Sequence, residues 1–204
     1  MRRARTDRLS ALVLPPPVAR SGERDAAIRA MLAHGHGAWT IERLRQTAGV
    51  DADLLFAGGA AEMAEYAMDL RDRDTFDPRA AVTARIAAET RIGLRVRALV
   101  LARVATAQRD GDMGRRVVAT LQMPCAARAY ARATLRMADA VWTVTDPSGD
   151  GLAFTTRRLT LAAILAPLWL FWQARGDDPQ AVAAFLDRRL AAIRAVGRLK
   201  ARFT

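Results

Sequence analysis

Apolar residues recur along this chain at intervals of three and four. Ile28, Met31 and Leu32 form one such face. Across Arg79 to Arg109 the spacing is kept by Ile86, Ile92, Leu94, Val96, Leu99, Val100 and Val104, with Gly93 as a candidate break between two helices. Val117, Val118, Leu121 and Met123 follow Asp110-Gly111-Asp112 and end at Pro124. Sustained alternation of period two is missing, hairpin-type turn dipeptides are few and Ala is abundant, so no strand pattern competes. The pattern predicts an all-α fold of several helices, each about 10 to 20 residues long. Thr40 is the expected N-cap of a helix over 41–48, Ala48-Gly49-Val50 a tight turn before a helix over 51–56, and Asp77-Pro78 the start of the next helix.

The most apolar run is Leu161-Ala-Ala-Ile-Leu-Ala-Pro-Leu-Trp-Leu-Phe-Trp172. It is about a dozen residues long, short of the roughly 20 that span a bilayer. Arg157 and Arg158 flank it on one side, Arg175, Asp177 and Asp178 on the other. A buried helix is therefore expected, kinked by Pro167. It reads either as a core or dimer helix or as the wall of an apolar pocket. As a pocket wall its lining would be Leu161, Ile164, Leu165, Leu168, Trp169 and Trp172, with Trp142 nearby. Before it, a helix over 126–142 leads into the polar bend Asp146-Pro-Ser-Gly-Asp-Gly151, where Asp and Ser commonly bond their own backbone.

The last helix is expected over 180–203. At about 100° per residue, Val182, Phe185, Leu186, Leu190, Ile193 and Val196 fall on one side. Arg188, Arg194, Arg198 and Arg202 fall on the other, with Asp187 the only acid. A helix lying in a membrane interface has this pattern, and so does a terminal helix packed on a core.

At the other end, residues 1–22 read as a disordered basic tail, with Arg2, Arg3, Arg5 and Arg8 ahead of a short apolar patch and Pro15-Pro-Pro17. A mis-assigned start or a targeting leader are the alternatives. Residues 23–76 read as a helix-turn-helix-like unit, because Thr40-x-x-x-Leu44-x-x-x-Ala48-Gly49-Val50 has that shape. Its would-be recognition end carries Asp51, Asp53, Glu62, Glu65 and Asp69, and there is no Lys or Arg between Arg45 and Arg71. Phosphate would be repelled there, so the unit is expected to serve packing rather than DNA.

Composition changes the picture in two ways. Lys and Arg number 32 against 21 Asp and Glu, a formal charge of +11, which points to an anionic partner surface. The single cysteine, Cys125, excludes an internal disulfide and reads as a buried thiol. Arg95, Arg103, Arg115 and Arg116 read as a solvated basic face. His34 and His36 lack neighbouring Cys or carboxylate ligands and read as loop residues rather than a metal site. The sequence offers no HExxH, phosphate loop or nucleophile elbow, so a binding protein without cofactor is expected rather than an enzyme.

Trp142, the spaced trio Asp146-x-Ser148-x-Asp150, Thr156-Arg157-Arg158 and Phe185-Leu-Asp-Arg-Arg-Leu190 fall in a recognisable order. So do Ala38-Trp39, Phe56-Ala-Gly-Gly59 and Leu121-Gln-Met-Pro124. Together they resemble the ubiquinone (coenzyme Q) biosynthesis accessory proteins of the COQ9 family, over about Ile28 to Ile193. Thr145 stands where that family has Gly, one residue is inserted after Asp150, and Phe154 is the one aromatic left of a pair. The resemblance implies a TetR-like helical bundle with a relic helix-turn-helix, a lipid-binding domain over 77–178 and a membrane-binding amphipathic helix over 179–204. It implies a lipid-binding accessory factor that encloses an isoprenoid or phospholipid and presents quinone precursors to a membrane-associated hydroxylase. Implied partner residues are Asp146, Ser148, Asp150, Phe154 and Arg157, and implied membrane residues are Phe185, Leu186, Arg188, Leu190, Ile193, Arg194, Val196 and Arg198. A homodimer without specific nucleic acid is implied, peripheral to a bacterial inner membrane on its cytoplasmic side or, in a eukaryote, on the mitochondrial matrix side. The competing reading is a TetR-like transcriptional regulator with an apolar effector; a membrane-binding protein without a specific ligand is a third.

Overall fold

Ser21 opens the first helix: its hydroxyl accepts the backbone N–H of Arg24 at 3.1 Å, satisfying one of the donors a helix start leaves free. That helix, α1 (Gly22–His34), buries Ala27, Ile28, Met31 and Leu32. The structure is a computed structural model that describes residues 14–34, 36–146 and 151–200, without the side chains at 81, 82, 194 and 196–200. Thr40 caps α2 (Ile41–Ala48) by accepting the Arg43 N–H at 3.2 Å. The helix ends at Gly49 with φ 63°, a conformation that glycine adopts without strain. α3 (Ala52–Leu55) is a single turn, shorter than expected, and α4 (Gly59–Thr75) follows.

Asp77-Pro78 lies in a turn ahead of α5 (Ala81–Ala87) rather than at its start. The Asp77 carboxylate accepts the Arg79 N–H at 2.9 Å and closes that turn locally. The next break falls at 88–91, and Gly93 is the second residue of α6 (Ile92–Arg109). Gly111, with φ 57°, reverses the chain into α7 (Gly111–Leu121). There α6 and α7 pack backbone to backbone: a Cβ on Gly114 would stand 2.4 Å from the Ala107 carbonyl oxygen. The 3-10 turn Pro124–Ala126 leads into α8 (Ala127–Thr145), then α9 (Gly151–Arg175) and α10 (Pro179–Lys200). The described residues thus form ten α-helices and no strand, the all-α bundle that the apolar spacing predicts and that a TetR-like arrangement is consistent with.

The apolar run sits in the middle of α9, which continues through Pro167 as one helix of 25 residues. Leu161, Ile164, Leu165, Leu168, Trp169 and Trp172 are all buried. Trp169 and Trp172 meet edge to face with ring centroids 5.6 Å apart. α9 packs against α8 on one flank and α10 on the other, and α4 packs against α6, α7 and α8. One apolar cluster runs from Ala27 to Leu186, so the N-terminal unit shares its core with the rest of the bundle. Among the described residues, no helix is long and apolar enough to cross a membrane.

Inside this bundle lies a seam of paired charges. Glu65, Asp69 and Asp72 are buried on one face of α4. Glu65 takes Arg132 and Arg136 of α8, and Asp69 takes Arg20 at 2.8 Å and Arg73 at 3.0 Å. Asp72 takes Arg103, whose side chain is 1% exposed. Arg103 is therefore not part of a solvated basic face. Its position is in phase with Val96, Leu99, Val100 and Ala107 of α6, all buried, and its guanidinium lies 5.3 Å from the Trp169 ring centroid. Buried charge needs such partners.

Candidate functional site

Four helices leave a groove between them. Trp142 near the end of α8, the first half of α9, Val96 of α6 and the outer half of α10 enclose about 520 Å³, within the range of small-molecule sites. The walls are mainly apolar: Val96, Trp142, Leu152, Ala153, Leu161, Ile164, Leu190 and Ile193, with Thr156, Arg157 and Thr160 as the polar members. Thr156 already donates its hydroxyl to the Leu152 carbonyl at 2.8 Å, so part of that polarity is used within the helix. Leu152 is 75% exposed at the rim.

Trp142 and Arg157 shape the mouth. The Trp142 indole N–H donates to the Arg157 carbonyl at 3.1 Å, and the Arg157 guanidinium lies 5.4 Å from the Trp142 ring centroid. Arg157 also donates to Asp146 at 2.8 Å. The cation is thereby held over the indole at the rim, and both residues border the groove. On the far side α10 is clasped to α6 by a two-pronged Arg97–Asp187 pair at 2.6 and 2.9 Å. Val182 and Leu186 are buried beneath α10, and Phe185 stacks on Phe171 with centroids 4.5 Å apart.

Of the residues that the sequence singles out for lipid, Trp142, Leu161 and Ile164 border the groove. Leu165, Leu168, Trp169 and Trp172 lie deeper, in the core behind it, because they occupy the α9 face turned to the rest of the bundle. Of the membrane set, Leu190 and Ile193 line the groove, Phe185 and Leu186 pack on the protein, and Arg188 is exposed. The side chains of Arg194, Val196 and Arg198 lie outside the described residues. Of the partner set, Asp146 and Arg157 are joined at the mouth and Phe154 is half-buried. The Arg158 guanidinium covers the Phe154 ring at 3.2 Å from its centroid. Ser148 and Asp150 lie outside the described residues. Sequence reading missed Val96 and Thr160, whose signal was their phase with the other lining positions rather than their chemistry.

Cys125 is exposed, against the buried thiol that the sequence suggests, because it sits on the 3-10 turn between α7 and α8. The helix-turn-helix-like unit also differs from the sequence picture. α3 has four residues, about 6 Å of helix, which gives little length to lay in a DNA groove. Asp53 pairs with Arg45, and Asp51 is exposed. Glu65 and Asp69, which read in the sequence as a phosphate-repelling surface, face the interior and are neutralised by arginines.

The structure is thus an all-α helical bundle with an apolar side groove. Residues 127–197 match the family model of COQ9, a stretch that holds α8, α9, most of α10 and every groove residue named above except Val96. The match falls on the segment where the order of the motifs resembles the COQ9 family. No curated protein matches the chain.

Proposed function

We propose that the protein is a lipid-binding accessory factor of ubiquinone biosynthesis, which takes an isoprenoid or phospholipid into the groove between α8, α9 and α10 and presents quinone precursors to a membrane-associated hydroxylase. The observation that carries this reading is the coincidence of the apolar groove with the COQ9 match. An isoprenoid tail has no hydrogen-bonding groups, and walls of Leu, Ile, Val and Trp suit it by removing apolar surface from water. A groove open at the side also lets a long tail enter without unfolding the bundle. The arginine-rich α10 forms one wall, so contact of that helix with an anionic membrane would bring the groove to the source of its lipid. Asp146 and Arg157 at the mouth, together with Phe154 earlier on α9, form the surface offered to the hydroxylase, and a homodimer is the expected assembly.

Trp142 provides the test. It alone of the four tryptophans is not buried, so a short-chain ubiquinone analogue in the groove should quench its fluorescence. Saturable quenching in the wild type that is lost in Thr160→Trp, which fills the groove, supports the reading after correction for the added indole. Quenching that never saturates, or that persists unchanged in the variant, contradicts it.

A further inference from the structure

A second cleft, of about 440 Å³, lies between α4, α8 and the segment 16–19. Its chemistry is opposite to that of the groove. Arg24, Arg128, Arg132 and Arg136 face into it against two carboxylates, Glu62 and Glu65. Both carboxylates are already paired with arginine. Glu62 accepts from Arg24 at 2.6 Å and from the Gly58 N–H at 2.8 Å, while Glu65 accepts from Arg132 at 2.7 Å and from Arg136. Arg128 is exposed and has no partner among the described residues. The excess of positive charge is therefore not cancelled from within.

The surrounding backbone adds to this field. α4 begins at Gly59 and α8 at Ala127, and Gly58 and Ala126, which precede them, both border the cleft. Two long helices thus turn their positive ends to the same space. Along α8, Arg128, Arg132 and Arg136 are spaced one turn apart and present neighbouring guanidinium groups. Guanidinium forks fit phosphate oxygens in shape as well as in charge. Arg128 and Trp142 are 14 residues apart on α8, about 21 Å at the helical rise, so cleft and groove are separate sites.

We propose that this cleft binds the phosphate or diphosphate group of a small organic molecule, with Arg128 and Arg132 reaching the ligand. The group is carried either by a soluble ester or by a lipid headgroup. Binding of inorganic pyrophosphate is measured by calorimetry at fixed ionic strength on the wild type, Arg128→Glu and Arg79→Glu. Arg79 is also exposed and lies elsewhere, so its variant carries the same charge change. Saturable binding that weakens about tenfold or more in Arg128→Glu and holds in Arg79→Glu is the expected result. Flotation with phosphatidylcholine vesicles, with and without phosphatidic acid, then separates the sources: retention that needs phosphatidic acid and Arg128 supports a lipid headgroup, and no retention supports a soluble ester. Absence of saturable pyrophosphate binding, equal binding by Arg128→Glu, or equal loss in both variants overturns the proposal.

Discussion

Trp142 and Arg157 are joined twice, by the indole N–H on the Arg157 carbonyl at 3.1 Å and by the Arg157 guanidinium over the Trp142 ring. The pair ties α8 to α9 and sets the groove mouth. Trp142→Ala is expected to cost about 1–3 kcal/mol of stability, from lost ring contact and the lost hydrogen bond. It should also lower the lipid content of purified protein. Urea denaturation checks the first effect and lipid analysis the second.

Asp72 and Arg103 give a pH test. Burial pushes the Asp72 carboxyl up to about 6, with the Arg103 guanidinium opposing. The folded value lies above the ordinary one, so the fold holds that proton more tightly than the unfolded chain does. Its contribution to stability is present below about pH 4 and is lost as pH rises through 6. Asp72→Asn, which mimics the protonated form, should compare better with the wild type at pH 7.5 than at pH 4, by roughly 2 kcal/mol. Arg103→Met leaves the carboxylate without its countercharge. It should lose about 3–5 kcal/mol at pH 7.5 and less at pH 4. Urea midpoints of the three proteins across this range check both statements.

Gly114 marks the close contact of α6 with α7. An alanine there meets the Ala107 carbonyl oxygen at 2.4 Å, and backbone cannot move aside as a flexible side chain would. Gly114→Ala should lower stability by about 1–3 kcal/mol. Thermal unfolding checks this, and an unchanged midpoint would show that the two helices separate easily.

The two halves of α10 should respond differently. Leu186 is 0% exposed, so Leu186→Ala should cost about 2–5 kcal/mol. Ile193 is 37% exposed on the groove wall. Ile193→Asp should leave stability within about 0.5 kcal/mol and reduce lipid uptake. Denaturation curves and lipid content, measured together, separate these effects.

Much of the bundle was legible in the sequence because apolar spacing reports burial directly. The face of Ile28, Met31 and Leu32, the Thr40 cap and the Gly49 stop all stand where the pattern puts them. Charged residues were harder to place, since their destination depends on partners distant in the chain. Arg103 and Asp72 are 31 positions apart, and Glu65 and Arg132 are 67 apart. Their spacing alone could not show that each buries the other's charge. The groove was legible as chemistry but not as geometry. A wholly apolar helix does not reveal which face meets solvent, and in α9 Leu161 and Ile164 border the groove while Leu165 and Leu168 fill the core.

The most direct test of the account is organic extraction of purified wild-type protein and Thr160→Trp, each expressed in cells that make ubiquinone, followed by mass spectrometry of the extract. The account predicts an isoprenoid or phospholipid at a constant ratio to wild-type protein, strongly reduced in a variant that remains folded. Wild-type protein free of such lipid, or equal lipid in both proteins, would contradict it.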